Sequence, residues 1–221
     1  MREKAEEVLG KVLVWALVSV TLLVTPLWTL DPINPIKMLA VSTLAFVGLG
    51  LLLVNRQVLE LGRYKVPLIL IICFMVWQLV VVFGSGAPMV QQLFGSYGRN
   101  TGLITYLAFS ILFVLSMAGS TPAFLNRFLL ASLVVGVASL SYGLVQAFGG
   151  DPFDWVNPYS PVFGFLGNPN FQSSLLGILG SVVFTQLLSG AVKLQVKVGY
   201  LVYLVVTLYV IKETDSQQGF L

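Results

Sequence analysis

Long uncharged apolar runs alternate with short charged segments along the whole chain. Residues 12–30, 38–55, 66–98, 100–126, 128–150 and 155–192 hold no Asp, Glu, Lys or Arg, and a shorter run covers 198–211. A helix needs about 20 mostly apolar residues to cross roughly 30 Å of hydrocarbon. The pattern therefore predicts seven spans, near 10–30, 36–54, 66–84, 101–119, 128–148, 170–190 and 194–212. The last has only 14 uncharged residues, and Lys193, Lys197 and Lys212 extend it by snorkelling to the interfaces. The runs are continuously apolar rather than alternating in short strands, which argues against a barrel. The first is longer than a signal-peptide core, ends around Trp28 and Pro32, and shows no small-residue cleavage site. The expectation is an all-α, polytopic transmembrane helical protein, a single helical domain over residues 1–221.

Composition agrees with that picture. The 221 residues are 57% apolar and 10% charged, against about 45–50% and about 25% in a soluble domain. With no His and one Cys, Cys73, a zinc site of the usual kind, Ser-His or Cys-His catalysis and a disulfide all fall away. The net charge of +3 resides in short loops, where Lys and Arg are topology signals rather than nucleic-acid contacts.

Counting basic residues by side orients the chain. With the N-terminus inside, the inner segments hold Arg2, Lys4, Lys11, Arg56, Arg63, Lys65, Arg127, Lys193 and Lys197, and the outer ones hold Lys37, Arg99 and Lys212, nine against three. The positive-inside rule then predicts a cytoplasmic N-terminus. Two long outer stretches, 84–100 and 149–169, are rich in Gly, Pro, Asn and aromatics, and long ordered loops are where function concentrates.

Three motifs stand out on that side. Gly95-Ser96-Tyr97-Gly98-Arg99-Asn100-Thr101-Gly102-Leu103 opens the fourth span, and Arg99 is the one charge between Lys65 and Arg127. A guanidinium beside a helix N-terminus suits a phosphate or diphosphate; an interfacial anchor for lipid head groups reads equally well. Gly164-Phe165-Leu166-Gly167-Asn168-Pro169-Asn170-Phe171 opens the sixth span, with Asn168 as N-cap and Pro169 at the first helical position. Capping leaves Asn170 unexplained, together with Phe153, Trp155, Tyr159, Phe163 and Phe165, which suit an interfacial belt or a groove for sugar or lipid. The third motif, Thr214-Asp215-Ser216-Gln217-Gln218-Gly219, clusters hydroxyl, carboxylate and amide groups where a further helix would begin, and capping suffices for it too. Phe220 and Leu221 read as the first residues of another apolar segment, so a longer protein is expected. On the fifth span Ser132, Gly136, Ser139, Gly143 and Ala147 recur at three or four residues, a face for close helix packing. Gln78, Gln146 and Gln186 read as interhelical hydrogen-bonding groups.

At these three motifs the chain resembles the O-antigen ligase and O-antigen polymerase family of bacterial envelope enzymes, which includes protein O-oligosaccharyltransferases. The resemblance runs from about residue 60 to the end and rests on Gly-Ser-Tyr-x-Arg-x-x-Gly-Leu (Gly95 to Leu103), Gly-Asn-Pro-Asn (Gly167 to Asn170) and the terminal motif. It implies a multi-pass protein of the bacterial plasma (inner) membrane, whose partners are a polyprenyl diphosphate-linked glycan and membrane lipids. The implied reaction moves the glycan to an acceptor hydroxyl on the extracytoplasmic side, with no nucleotide, metal or other cofactor in the transfer. By the same resemblance Arg99, Tyr97, Asn168, Asn170, Ser216 and Gln217 bind lipid diphosphate or glycan. There are departures. The family's outer loop with its catalytic His lies later than residue 221, Gln217 stands where many members have Arg, Gly98 where many are acidic, and Ser160, Pro161 and Val162 where some have Arg. The catalytic residues are therefore left unassigned, and these 221 residues alone are expected to be inactive. Two other classes fit the bare pattern: an amphiphile transporter or flippase, and a non-catalytic membrane assembly subunit. No acidic residue interrupts a span and no repeat is evident, which weighs against ion-coupled transport.

Overall fold

A computed structural model describes residues 2–25, 31–60, 62–153, 155, 162–190 and 192–220. Trp28, Asp154, Tyr159, Ser160 and Pro161 lie outside the described residues. The eight helices among them are α1 (Arg2–Leu22), α2 (Asn34–Val54), α3 (Lys65–Gly84), α4 (Met89–Phe94), α5 (Leu103–Gly119), α6 (Pro122–Ala147), α7 (Pro169–Leu188) and α8 (Leu194–Glu213), with short 3-10 turns at Arg56–Val58 and Gly164–Leu166. Five of them, α2, α3, α6, α7 and α8, are long and apolar enough to cross a membrane. The chain is a helical membrane protein.

The remaining two expected spans differ in form. α5 is apolar but has only 17 residues, about 26 Å of helix. α1 begins ten residues before the uncharged run at 12–30, because its charged first turns are themselves good helix. Arg2 pairs with Glu6 at 2.8 Å and Lys11 with Glu7 at 3.1 Å, the i,i+4 spacing that stabilises a helix surface. It therefore keeps Glu6, Glu7 and Lys11 within the helix.

The chain divides into two compact units, Met1–Leu129 and Leu130–Leu221. In the first, α1, α2 and α5 pack around Leu9, Leu13, Val41, Ala45, Ala108 and Leu115. Gly48 lets α2 approach Leu115 and Val12 closely. α3 lies against α5 through a T-shaped Phe74–Tyr106 pair at 5.9 Å and a Ser110 Oγ–Met75 Sδ contact of 3.0 Å, and none of its residues is buried. Its Cys73 is exposed. One end of this unit gathers charge: Arg2 reaches Glu60 at 2.5 Å and Arg127 reaches Glu7 at 3.2 Å. The hydrogen bond from Arg2 holds the Glu60 carboxyl below the usual carboxylate range. Lys11, chiefly, does the same for Glu7.

In the second unit, Leu140, Leu176, Val183, Tyr203, Val210 and Ile211 form the core. The small-residue face of α6 packs as expected: Ser132, Gly136, Ser139 and Gly143 are buried. A Cβ on Gly143 would stand 2.7 Å from Val210 Cγ1, and one on Gly136 would stand 3.1 Å from Tyr203 Cζ. Backbone therefore meets side chain where α6 crosses α8.

Candidate functional site

The Arg99 loop is held by its backbone. Gly95 has φ +87 and a Cβ there would run into Asn100 C and Gly102 N, while a Cβ on Gly102 would strike Leu93 O. These two glycines bring the ends of the loop together, and only glycine fits both. Between them, the N–H groups of Arg99 and Asn100 both donate to Ser96 O at 3.1 Å. Asn100 itself lies at φ 52, a conformation that Asn tolerates better than most residues, and Thr105 Oγ1 donates to its carbonyl at 2.6 Å.

Side-chain hydrogen bonds from the start of α2 tie the loop down. Asn34 Nδ2 donates to Gly98 O at 2.8 Å, and Asp31 Oδ1 accepts from the backbone N–H of Ile33 and Asn34 at 3.1 and 3.0 Å. Asp31 so caps α2 and orients Asn34 toward the loop. Tyr97 is 72% exposed. Arg99 is exposed as well, and its side chain makes no hydrogen bond or ion pair among the described residues. The loop lies at the end of its unit away from the Arg2–Glu60 and Arg127–Glu7 pairs: Gly98 meets Asn34 in the first turn of α2, whereas Glu60 follows the other end of that helix.

Lys37, counted in the sequence as an outer loop charge, is buried in the first turn of α2 and donates to Thr21 O at 3.2 Å. It satisfies a carbonyl in the last turn of α1, where the helix dipole favours a cation. A single lysine in sequence carries no sign of which helix end it will meet.

In the second unit the other two motifs come together. Asn168 is the N-cap of α7: its Oδ1 accepts from Asn170 N at 2.9 Å and Phe171 N at 3.4 Å, with Pro169 following. One turn on, Ser173 Oγ accepts from Gly219 N at 2.8 Å and donates to Ser216 O at 3.3 Å. Ser174 Oγ donates to Asn170 O at 2.9 Å and lies 3.1 Å from Gln218 Oε1. The terminal segment thus folds back on α7, with Gly219 O only 2.7 Å from where a Cβ on Gly177 would stand. Ser216 is buried, whereas Asn170 and Gln217 are exposed. Asn168, Asn170, Ser216 and Gln217 therefore share one end of this unit. Their link runs through Ser173 and Ser174, two serines that nothing in their local sequence sets apart from ordinary helix.

The preceding loop is organised by α6. Gln146 is buried; its Oε1 accepts from Phe163 N at 3.2 Å and Gly164 N at 2.8 Å, and its Nε2 donates to Asp151 Oδ2 at 2.8 Å. Tyr142 OH also donates to Asp151, at 3.0 Å, and accepts from Trp155 Nε1 at 2.7 Å. Phe165 stacks on Tyr142 at 4.5 Å, and Trp155 meets Phe163 edge-on at 5.8 Å. Trp155, Phe163 and Phe165 are consequently a packed wall on α6, and of the described loop aromatics only Phe153 is exposed. Gln146 binds a loop rather than a neighbouring helix. Gln78 and Gln186 make no side-chain hydrogen bond among the described residues.

Chemically, the first unit offers an exposed, unneutralised guanidinium on a loop whose backbone is pinned. The second offers amide and hydroxyl groups suited to sugar hydroxyls beside an aromatic wall. No family model, curated protein or solved structure matches the chain.

Proposed function

We propose that this protein serves glycan transfer from a polyprenyl diphosphate lipid to an acceptor hydroxyl at the extracytoplasmic face of a bacterial plasma membrane, as a ligase or polymerase. In this reading α1 and α5 cross the bilayer with the other five, α2, α3, α6, α7 and α8, giving about seven spans and a cytoplasmic N-terminus. The nine-to-three distribution of basic residues supports that orientation.

The observation that carries the reading is Arg99, exposed, unpaired among the described residues and mounted on a loop closed by Gly95 and Gly102. In the transfer the acceptor hydroxyl oxygen bonds to the anomeric carbon and releases its proton to water, the bond from that carbon to the diphosphate oxygen breaks with its electron pair, and negative charge collects on the diphosphate. A cation already in place, needing no rearrangement, stabilises that charge, and the N-terminus of α5 at Leu103 adds its partial positive charge. Tyr97 flanks the donor, and Asn168, Asn170 and Gln217 offer hydrogen bonds to the glycan. Ser216 acts from beneath, through the fold of the terminal segment.

Binding of a short-chain polyprenyl diphosphate to the purified protein tests this. Arg99→Ala weakens binding about tenfold or more, as expected for loss of a charge-assisted contact worth about 1.5–3 kcal/mol, and Arg99→Lys retains most of it. Equal affinity in wild type and Arg99→Ala overturns the assignment.

A further inference from the structure

α4 is far too short to cross a bilayer, yet it turns apolar side chains outward. Its sequence is Met-Val-Gln-Gln-Leu-Phe, and helical spacing puts Met89, Val90, Leu93 and Phe94 on one side and Gln91 and Gln92 on the other. Leu93 is half-buried, and its carbonyl stands against Gly102 at the start of α5. Gln92 Nε2 donates back to Ala87 O. Met89, Val90 and Phe94 are left exposed, Val90 at 71%.

This apolar edge continues a surface that already faces lipid. α3 is long and apolar enough to cross a membrane, and none of its residues is buried. Val81 and Phe83 in its last turn are exposed, and only residues 85–88 separate that turn from α4. No Asp, Glu, Lys or Arg occurs from 66 to 98, so the chain runs from α3 through α4 without a charge that must stay in water. Arg99 is the first.

The depth of α4 follows from the helices it touches. It packs against both α3 and α5, and Ser110 on α5 meets Met75 on α3. From Met75 to the end of α3 at Gly84 is about 13 Å of helix, and from Ser110 back to Leu103 about 10 Å. α5 therefore begins level with the last turn of α3. The 20 residues of α3 measure about 30 Å, the full thickness of the hydrocarbon, so that turn lies at its edge. α4, held to the start of α5 at Gly102, lies there too.

We infer that α4 is an interfacial anchor. It lies along the membrane surface with Met89, Val90 and Phe94 among the acyl chains, and holds the Arg99 loop at the level of the lipid head groups. Amphipathic helices at a bilayer surface sink about 5–10 Å into the boundary between head groups and chains. The inserted edge is uncharged, so the anchor does not require an anionic lipid.

The test is depth in phosphatidylcholine vesicles holding the full chain. Val90→Cys, Phe94→Cys, Val76→Cys and Ser96→Cys, each in a Cys73→Ser background, carry a nitroxide, and its collisions with oxygen and with a water-soluble nickel complex are read by electron paramagnetic resonance. Val76, Val90, Phe94 and Ser96 are exposed, so the labels leave the packing intact. Oxygen prevails at Val90 and Phe94, at a depth of about 5–10 Å and shallower than at Val76 in mid-α3, while nickel prevails at Ser96. Nickel prevailing at Val90 as it does at Ser96 places α4 in water. Exclusion of both reagents from Val90 means that protein, a second copy or another segment, covers it. Either result overturns the inference.

Discussion

At the scale of the residue, three cases turn on more than the residue type suggests. Gly95 and Gly98 both have positive φ, but a Cβ on Gly95 meets backbone and one on Gly98 meets nothing within 4 Å. Gly98→Ala should cost only the left-handed strain, about 1–2 kcal/mol. Gly95→Ala adds a clash that no rotamer relieves, so its thermal unfolding in micelles should begin at clearly lower temperature than that of Gly98→Ala. Gln146 is the second case. Gln146→Leu leaves two buried N–H groups without their acceptor and takes one of its donors from Asp151, and should cost roughly 2–4 kcal/mol at about 1–3 kcal/mol for an orphaned buried group. Trp155 fluorescence in that variant should shift to the red as the aromatic wall loosens; an unshifted spectrum would show that the loop does not depend on Gln146. Lys37 is the third, a charge buried to satisfy the end of a neighbouring helix.

At the scale of the element, packing at α6 is set by what is missing from its face. Gly143→Leu drives a side chain into Val210 and should destabilise by about 1–3 kcal/mol, as overpacking does. Gly50→Ala on α2, where nothing lies within 4 Å, should instead stabilise by about 0.5–1 kcal/mol through helix propensity. Denaturation midpoints of the two variants should move in opposite directions. The tether of α1 gives a pH dependence. Arg2 lowers the Glu60 carboxyl below its ordinary 4.5, so the folded state holds its proton less tightly than the unfolded one. That contribution is present above about pH 4.5 and is lost as pH falls through the lowered value. The pair is exposed, so the effect is small and screened by salt. Glu60→Gln should flatten this part of the unfolding-temperature profile between pH 6 and pH 3 (about one unit either side of ordinary carboxylate titration), and an unaltered profile would remove Glu60 from it.

At the scale of the whole molecule, the testable matter is which segments share a side of the membrane. Cysteines introduced at Ser96 and Gln195, in a Cys73→Ser background, should react with an impermeant thiol reagent from opposite sides of sealed vesicles. Ser96 is the better probe than Gly98, whose φ of +80 any side chain would strain. Reaction of both from one side would change the number of spans between them and with it the face on which Arg99 stands.

Uncharged runs of twenty residues have few options in a bilayer, because every backbone polar group must be satisfied within the segment. For that reason the helical membrane character, the close-packing face of α6 and the Asn168–Pro169 start of α7 were all legible in the sequence. Each depends on a local rule: run length, spacing or a cap. Other features depend on residues far apart in the chain and left no local trace. Lys37 turned inward onto Thr21, Gln146 holding Phe163 and Gly164, and Ser173 receiving Gly219 across 46 residues are of this kind. A hydrogen-bonding side chain announces that it needs a partner, but only the packed helices bring that partner within 3 Å. Patterning alone made this chain a set of membrane helices, and tertiary contact decided which polar groups are used up in the fold and which, like Arg99, are left free to act.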